Sequence, residues 1–258
     1  MSPKLGKKPA SPDVRDLKFA KYRTALLPEP PATFGFDHAV APDAWGSLGN
    51  DAYGDCVWAG AAHEHMLLTA TQNTVRPSPT TARFTDTSVL RAYADVTGFD
   101  PTTGANDNGT DVHQAMSYRK NTGILDANGR RHKIGAYLSL TPGDMTELAE
   151  ALYLFECVGI GFEFPQSAMD QFNAGQRWAV VPGGSPIEGG HYVPVVSKQN
   201  TFSVKVITWG QLQTMTQPFY KKYCDEAWCF VAPDALNDRG LTARGFDITT
   251  LNSDLAAL

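Results

Sequence analysis

The sequence predicts an α+β fold of two lobes with a cleft between them. Three observations lead there. Apolar residues recur at helical spacing in the first half of the chain. Strand-like runs separated by turn residues fill the second half. The two side chains best suited to joint chemistry, Cys56 and His191, fall in different halves. At 258 residues and 42% hydrophobic, the chain is long enough for one large domain with a real core. The expected division is an extended arm over 1–45 and a domain over 46–258. Within the domain, a helical lobe spans about 46–130, a sheet lobe about 131–235 and a tail 236–258.

In the arm, Pro3, Pro9, Pro12, Pro28, Pro30, Pro31 and Pro42 argue against long helices. A short helix is expected around Asp16 to Leu26, where Leu17, Phe19, Ala20 and Tyr22 give a partial apolar face. Lys4, Lys7 and Lys8 read as a solvated tail. No apolar run follows these basic residues, so the start does not read as a secretory signal, and the expected location is cytoplasmic. The polar loop Gly49-Asn50-Asp51-Ala52-Tyr53-Gly54-Asp55 then ends abruptly in a helix from Cys56 to about Thr71, with Asp55 as its expected N-cap. Val57, Trp58, Ala59, Ala61, Ala62, Met66, Leu67 and Leu68 make that helix apolar nearly all round, hence buried. Residues 72–86 read as a loop, 87–97 as a helix stopped by Gly98, and Asp111 to Asn121 as a helix closed by Gly123. Asp100 to Asp111 invites comparison with a calcium loop, but its sixth place is Ala105 and its twelfth Asp111, so turn chemistry accounts for it better.

In the second half, Lys133 to Leu140 reads as a strand and Met145 to Phe155 as a helix opened by Asp144. Strands are expected at 157–164, 177–182, 191–198, 201–209 and 227–232, short helices at Pro218 to Tyr223 and from Ile248 to the end, and an edge or a bulge at Pro194.

The chemistry centres on two stretches. Cys56 sits in the first turn of a buried helix, where the helix dipole favours a thiolate. A thiol in a core is also simply a small hydrophobe, and Cys157 reads that way. His191 follows Gly189 and Gly190 at the mouth of a strand. An imidazole there can take the thiol proton and later protonate a leaving group. Other features exclude function classes. The net charge of −5 argues against nucleic acid as a partner. No apolar run approaches the roughly 18 residues of a membrane helix. Four cysteines are too few for a disulfide scaffold, although Cys224 and Cys229 could lie close. No Cys/His cluster has zinc spacing, and neither metal nor cofactor is expected. His63 and His65 are expected to face solvent or to be bonded in place. Asp225 and Glu226 are expected to be surface charges, and also outside candidates for orienting His191.

The same residues resemble the papain-like cysteine peptidases. Gly54-Asp55-Cys56-Val57-Trp58-Ala59 is similar to that family's Gly-Ser-Cys-Trp-Ala segment, and the Cys-to-His separation falls in its range. Asn50 holds the place of the family's Gln. Asn108-Gly109-Thr110, with Tyr118 and Gly123-Ile124 after it, resembles the Asn-Gly-Gly stretch that lines the cleft. Val158 to Phe162 resembles the strand returning toward the His, and Thr208-Trp209-Gly210 the end of Asn-Ser-Trp-Gly. The resemblance implies a two-lobed papain-like fold and a catalytic set of Cys56, His191, Asn50 as oxyanion donor and Thr208. Trp209, Asn108, Gly109 and Gly190 would bind substrate. The departure is at the third triad place, which strict offset from Trp209 puts on Ile207, leaving Thr208 one residue on to supply a hydroxyl. The resemblance is nearest to uncharacterised papain-like proteins of actinobacteria and their phages. It implies a peptidase or thiol acyl-transfer enzyme acting on a peptide or protein. A full inhibitory segment of the family's type is not expected before Cys56: either the protein is not made as a zymogen of that type, or the arm does something else, such as dock, with the tail, on a protein partner. The alternative is a non-catalytic structural or binding component of an assembly such as a phage particle.

Overall fold

A computed structural model describes residues 3–24, 26–72, 81–236 and 240–255. Three helices come first: α1 (Cys56–Gln72), α2 (Asp86–Thr97) and α3 (Val112–Asn121). Each has a local cause. Thr85 caps α2 in a reciprocal pair with Ser88, and Gly98 at φ 75° ends it. Asp111 caps α3 through the Gln114 N–H. Asp55 does not cap α1 as expected: its carboxylate oxygens are buried without a hydrogen-bond partner, and burial pushes its pKa well above the usual range, favouring the neutral acid. Much of the expected loop over 72–86 lies outside the described residues.

The other elements are β1 (Phe34–Gly35), β2 (Ile124–Leu125), β3 (Arg131–His132), β4 (Ala136–Leu140), α4 (Met145–Phe155), β5 (Val158–Pro165), α5 (Gln166–Asn173), β6 (Ile187–Asn200), β7 (Ser203–Thr208), β8 (Gln211–Thr216), α6 (Gln217–Tyr223), β9 (Cys224–Val231) and α7 (Thr249–Leu255). The main sheet is antiparallel in the order β4-β9-β5-β6-β7-β8, with β1 added to β6. The expected helix over 16–26 shrinks to a 3-10 turn at Phe19–Tyr22, with Phe19 driven into the core. The expected strand at 177–182 is a single bridge from Trp178 to Met215, since the Gln171 side-chain amide takes both backbone groups of Ala179. The run 201–209 turns at Trp209-Gly210 into β8, which the sequence reading missed together with α5. The bulge foreseen near Pro194 falls between Val195 and Ser197. The last residues of the expected C-terminal helix lie outside the described ones.

Alternation along the strands gives the sheet two apolar faces. Val193, Val195, Val206 and Cys229 enter a core with Phe162, Phe164, Trp178 and α4. Their neighbours Tyr192, Val196, Ile207, Trp228 and Phe230 enter a second core with α1, α2 and α3. The helix that begins at Cys56 therefore lies directly on β6. Residue 60 has to be glycine for this approach, because a Cβ there would stand 2.7 Å from the Tyr192 ring. Behind the contact, the buried Glu64 of α1 and Arg119 of α3 pair at 2.7 Å, and Tyr192 donates its hydroxyl to Glu64 at 2.8 Å. Among the described residues no helix is long and apolar enough to cross a membrane. The four cysteines are free thiols, so Cys224 and Cys229 form no bridge.

Candidate active site

Cys56 starts α1 and is 1% exposed. Backbone N–H groups of Tyr192 and of Gly6 reach its sulfur, so the thiol sits beside the residue that follows His191. His191 lies on β6 opposite Phe162 of β5, buried on all sides. Its Nε2 is 2.7 Å from Thr208 Oγ1, and its Nδ1 is buried with no hydrogen-bond partner. Ile207 points the other way, into the helical lobe's core. The β7–β8 hairpin turns through Trp209 at φ 46° and Gly210 at φ 79°, as a two-residue hairpin of right-handed twist requires. That turn lays the Trp209 indole flat on the imidazole, with centroids 4.4 Å apart and planes 16° apart.

Residues 4–8 run through the cleft beside this pair. The Lys4 N–H donates to the Asn50 carbonyl at 3.0 Å, and the Gly6 and Lys7 N–H groups both donate to the Gly190 carbonyl, at 3.1 and 2.9 Å. The Thr110 N–H donates to the Gly6 carbonyl at 2.7 Å, and the Thr110 carbonyl accepts from the Lys8 N–H at 3.0 Å. The Lys4 carbonyl accepts from Asn50 Nδ2 and from Trp209 Nε1, each at 3.2 Å. The fit leaves no room for side chains: a Cβ on Gly6 would stand 1.8 Å from the Gly54 carbonyl, and one on Gly190 2.1 Å from the Lys7 carbonyl. The segment read as a solvated tail is thus part of the cleft. Lys7 is 5% exposed, and its ammonium lies 2.7 Å from Asp225 and 3.0 Å from Glu226. Those two carboxylates were expected at the surface or near His191. They meet Lys7 instead, because β9 runs beside β5 and presents them to the cleft.

The electrostatics follow from this covering. Burial pulls the His191 imidazole down to about 3. Burial pushes the Cys56 thiol up to about 12, and the adjacent Asp55 adds to this against the Tyr192 and Gly6 N–H groups and Lys7. The helix dipole that should favour a thiolate is outweighed by this burial. Both groups are therefore neutral here.

Of the residues expected at the site, Asn50, Trp209, Gly109 and Gly190 touch the arm, Cys56 starts the helix beside it, and Thr208 meets His191. Asn108 is exposed, and the Thr110 backbone makes the arm contacts. Reading the sequence missed Asp107. It accepts from the Gly54 N–H at 2.9 Å and from the Tyr93 hydroxyl at 2.8 Å, while Tyr93 accepts from the Gly109 N–H at 2.8 Å. One carboxylate thereby ties the loop before Cys56 to α2 and, through Tyr93, to Gly109. Its place in the Asp/Asn-rich loop suggested turn chemistry and gave no sign of this partner. His63 is buried against the carbonyls of Trp45 and Gly46, and His65 is buried too. Among the described residues, no group of three His, Cys, Asp or Glu side chains could hold a metal ion.

No protein-family model matches the chain, and no curated protein sequence does. Solved structures do. Xylellain, a cysteine protease from Xylella fastidiosa, aligns with a TM-score of 0.67 over 89% of this chain and 96% of its own, at 13% identity. The digestive procathepsin L 3 of Tenebrio molitor larval midgut gives 0.57 over 81% and 72%, at 14% identity. The Carica candamarcensis cysteine protease CMS1MS2, solved in complex with E-64, gives 0.56 over 78% and 98%, at 13% identity. The fold is papain-like, as the sequence motifs implied. Identities this low carry the fold alone.

Proposed function

We infer that this protein is a cysteine peptidase, or a related thiol acyl-transfer enzyme, whose own N-terminal arm keeps it latent. The observation that carries the reading is a peptide carbonyl, that of Lys4, held by the Asn50 amide in a cleft that also contains Cys56 and His191. With the arm displaced, water and substrate return the imidazole and thiol toward their ordinary ranges. Thr208 accepts the Nε2 hydrogen and leaves Nδ1 free to take the Cys56 proton. The thiolate attacks the substrate carbonyl. Asn50 Nδ2 and the Cys56 N–H stabilise the oxyanion, and the imidazolium protonates the leaving amine. Trp209 covers His191 and keeps water from its bond with Thr208.

The test is hydrolysis of a fluorogenic peptide library by the Lys7→Glu protein. Turnover that vanishes in the Lys7→Glu, Cys56→Ala double variant is expected. A cleft that is open to a thiol reagent yet turns over no peptide would sink the reading. It would favour the competing one, a papain-like binding or structural component of an assembly such as a phage particle. The filled cleft and the Thr in place of Asn are consistent with that alternative.

Thr208 is a positioning residue on this reading. Thr208→Val, in the Lys7→Glu background, should lower kcat about 10- to 100-fold, the cost of one buried partner lost. Thr208→Ser should restore most of it. A merely structural role would instead appear as lost thermal stability with kcat intact.

A further inference from the structure

The Lys7 side chain lies in a narrow slot between β5 and β9 that ends in two carboxylates. The lysine stem crosses Gly161, where a Cβ would stand 2.1 Å from Lys7 Cε and 2.7 Å from Glu226 Cγ. Only glycine at that position admits a long side chain. At the end of the pocket, Trp228 Nε1 donates to Glu226 Oε2 at 2.8 Å and fixes that carboxylate. Its Oε1 faces the ammonium at 3.0 Å. Lys7 Nζ donates to Asp225 Oδ2 at 2.7 Å and to the Lys8 carbonyl at 2.9 Å. One acceptor remains without a hydrogen bond even so, Asp225 Oδ1, shut off from water.

An ammonium has three donors on a point charge, and one of them is spent here on the arm's own backbone. A guanidinium presents five in a planar fork matched to carboxylates. A substrate would not bring the Lys8 carbonyl with it. We propose that this pocket selects a basic side chain of the peptide substrate, arginine ahead of lysine, with Asp225, Glu226 and Gly161 as the specificity-determining residues. The assignment rests on the peptidase reading for the word substrate, but the pocket's preference can be measured without turnover. It also gives the arm a role as a moderate competitor: its lysine satisfies the pocket incompletely, so an arginine-bearing peptide displaces it.

The experiment uses the full chain carrying Lys7→Glu or Lys7→Ala with Cys56→Ala. Three synthetic peptides of the arm sequence 3–10 are supplied in trans, carrying lysine, arginine or norleucine at the seventh place. Opening is checked by thiol labelling of the parent single variants, which keep Cys56. Lysine should bind at least about 30-fold more tightly than norleucine, since an uncompensated buried charge pair costs at least that much, and arginine more tightly than lysine. Asp225→Asn with Glu226→Gln should abolish the difference, and Gly161→Ala should exclude both long side chains. In parallel, a positional-scanning library cut by the Lys7→Glu protein should show arginine and lysine at one fixed position beside the cleaved bond.

Norleucine binding as tightly as lysine would overturn the assignment. So would cleavage with an apolar preference at every position, which would leave the peptidase reading intact. Lysine tighter than arginine would overturn the arginine order. Selective binding of basic peptides without any cleavage would support the pocket and sink the peptidase reading instead. If neither Lys7 variant opens the cleft, the carboxylate pair does not hold the arm and the assignment falls.

Discussion

Lys7→Glu should increase the rate at which iodoacetamide labels Cys56 by about 100-fold or more at pH 6 to 7. In the native protein the thiol is 1% exposed. Burial also holds it as the neutral form, with its pKa pushed up to about 12, so labelling across pH 4 to 9 should be slow and limited by transient opening of the arm. Five backbone hydrogen bonds and two from the Asn50 and Trp209 side chains hold residues 4–8, Leu5 packs on the core, and Lys7 supplies their ion pair with Asp225 and Glu226. A glutamate at position 7 would put a third carboxylate beside those two, and like charges brought together out of water cost several kcal/mol. The arm, being local and peripheral, should leave the cleft before the domain unfolds, and the two carboxylates would then rehydrate.

The pH profile of the opened protein carries the second half of this prediction. A thiolate–imidazolium pair labels quickly well below the free-thiol pKa of about 8.5, and His191→Ala should remove that acidic limb. A profile that rises only near pH 8.5 would mean that no ion pair forms. Labelling of Lys7→Glu no faster than native would mean that the Lys7 contacts are not what keeps the cleft closed.

Arg119→Met should destabilise the protein by about 3–5 kcal/mol, a fall in Tm on the order of 10 °C for a chain of this size. Glu64 and Arg119 are both buried, at 0% and 1% exposure, and they join α1 to α3 behind the Cys56 helix turn. The guanidinium also packs on the Phe230 ring, 4.7 Å from its centroid. The two groups are 2.7 Å apart but poorly aligned, so the contact acts as a charge pair more than as a directed hydrogen bond. Removing one partner leaves the other charge buried with only the Tyr192 hydroxyl.

The loss should depend on pH, and its sign is fixed. Burial raises the Glu64 pKa from 4.5, while Arg119 holds it back. Without Arg119 it rises further, so the folded state binds the proton more tightly than the unfolded one. The variant is then closest to native stability below about pH 4.5 and loses ground as pH rises toward the new folded-state value. Thermal melts at pH 5 and pH 8 should show the larger deficit at pH 8. The double variant Glu64→Gln, Arg119→Met should regain most of the loss, because no lone charge remains. Equal deficits at both pH values, or no recovery in the double variant, would refute this account.

Much of the candidate site was legible because local chemistry wrote it. A polar loop ending at Cys56, two glycines before His191 and a Thr-Trp-Gly turn are short-range signals, and the structure brings Gly190 and Trp209 against residues 4–8 and Thr208 against His191. Helices α2, α3 and α4 were legible for the same reason: caps and periodicity act within a few residues of chain. Element α5 was missed because it is only eight residues long and has no side-chain cap, although Ala168, Met169 and Phe172 recur at helical spacing, and strand β8 because its local pattern is weak. Strand β8 reads Gln-Leu-Gln-Thr-Met-Thr, and it is a strand because β7 offers it an edge.

What only the tertiary structure decided is pairing at long range. Thr208 rather than Ile207 meets His191 because strand alternation turns Ile207 into the other core, a choice set by the register of β7 on β6. Asp225 and Glu226 look like surface charges until β9 is laid beside β5, and Lys7 looks like a free cation until the arm crosses to meet them. By itself, the sequence determined the fold class and the chemically active residue types, since those follow from composition, period and turn residues. Whether the thiol is a thiolate or a covered neutral group depends on whether water reaches it. The folded chain decides that, by burying Cys56 in the core under α1 and by bringing the arm, more than two hundred residues from its carboxylate partners, beside it.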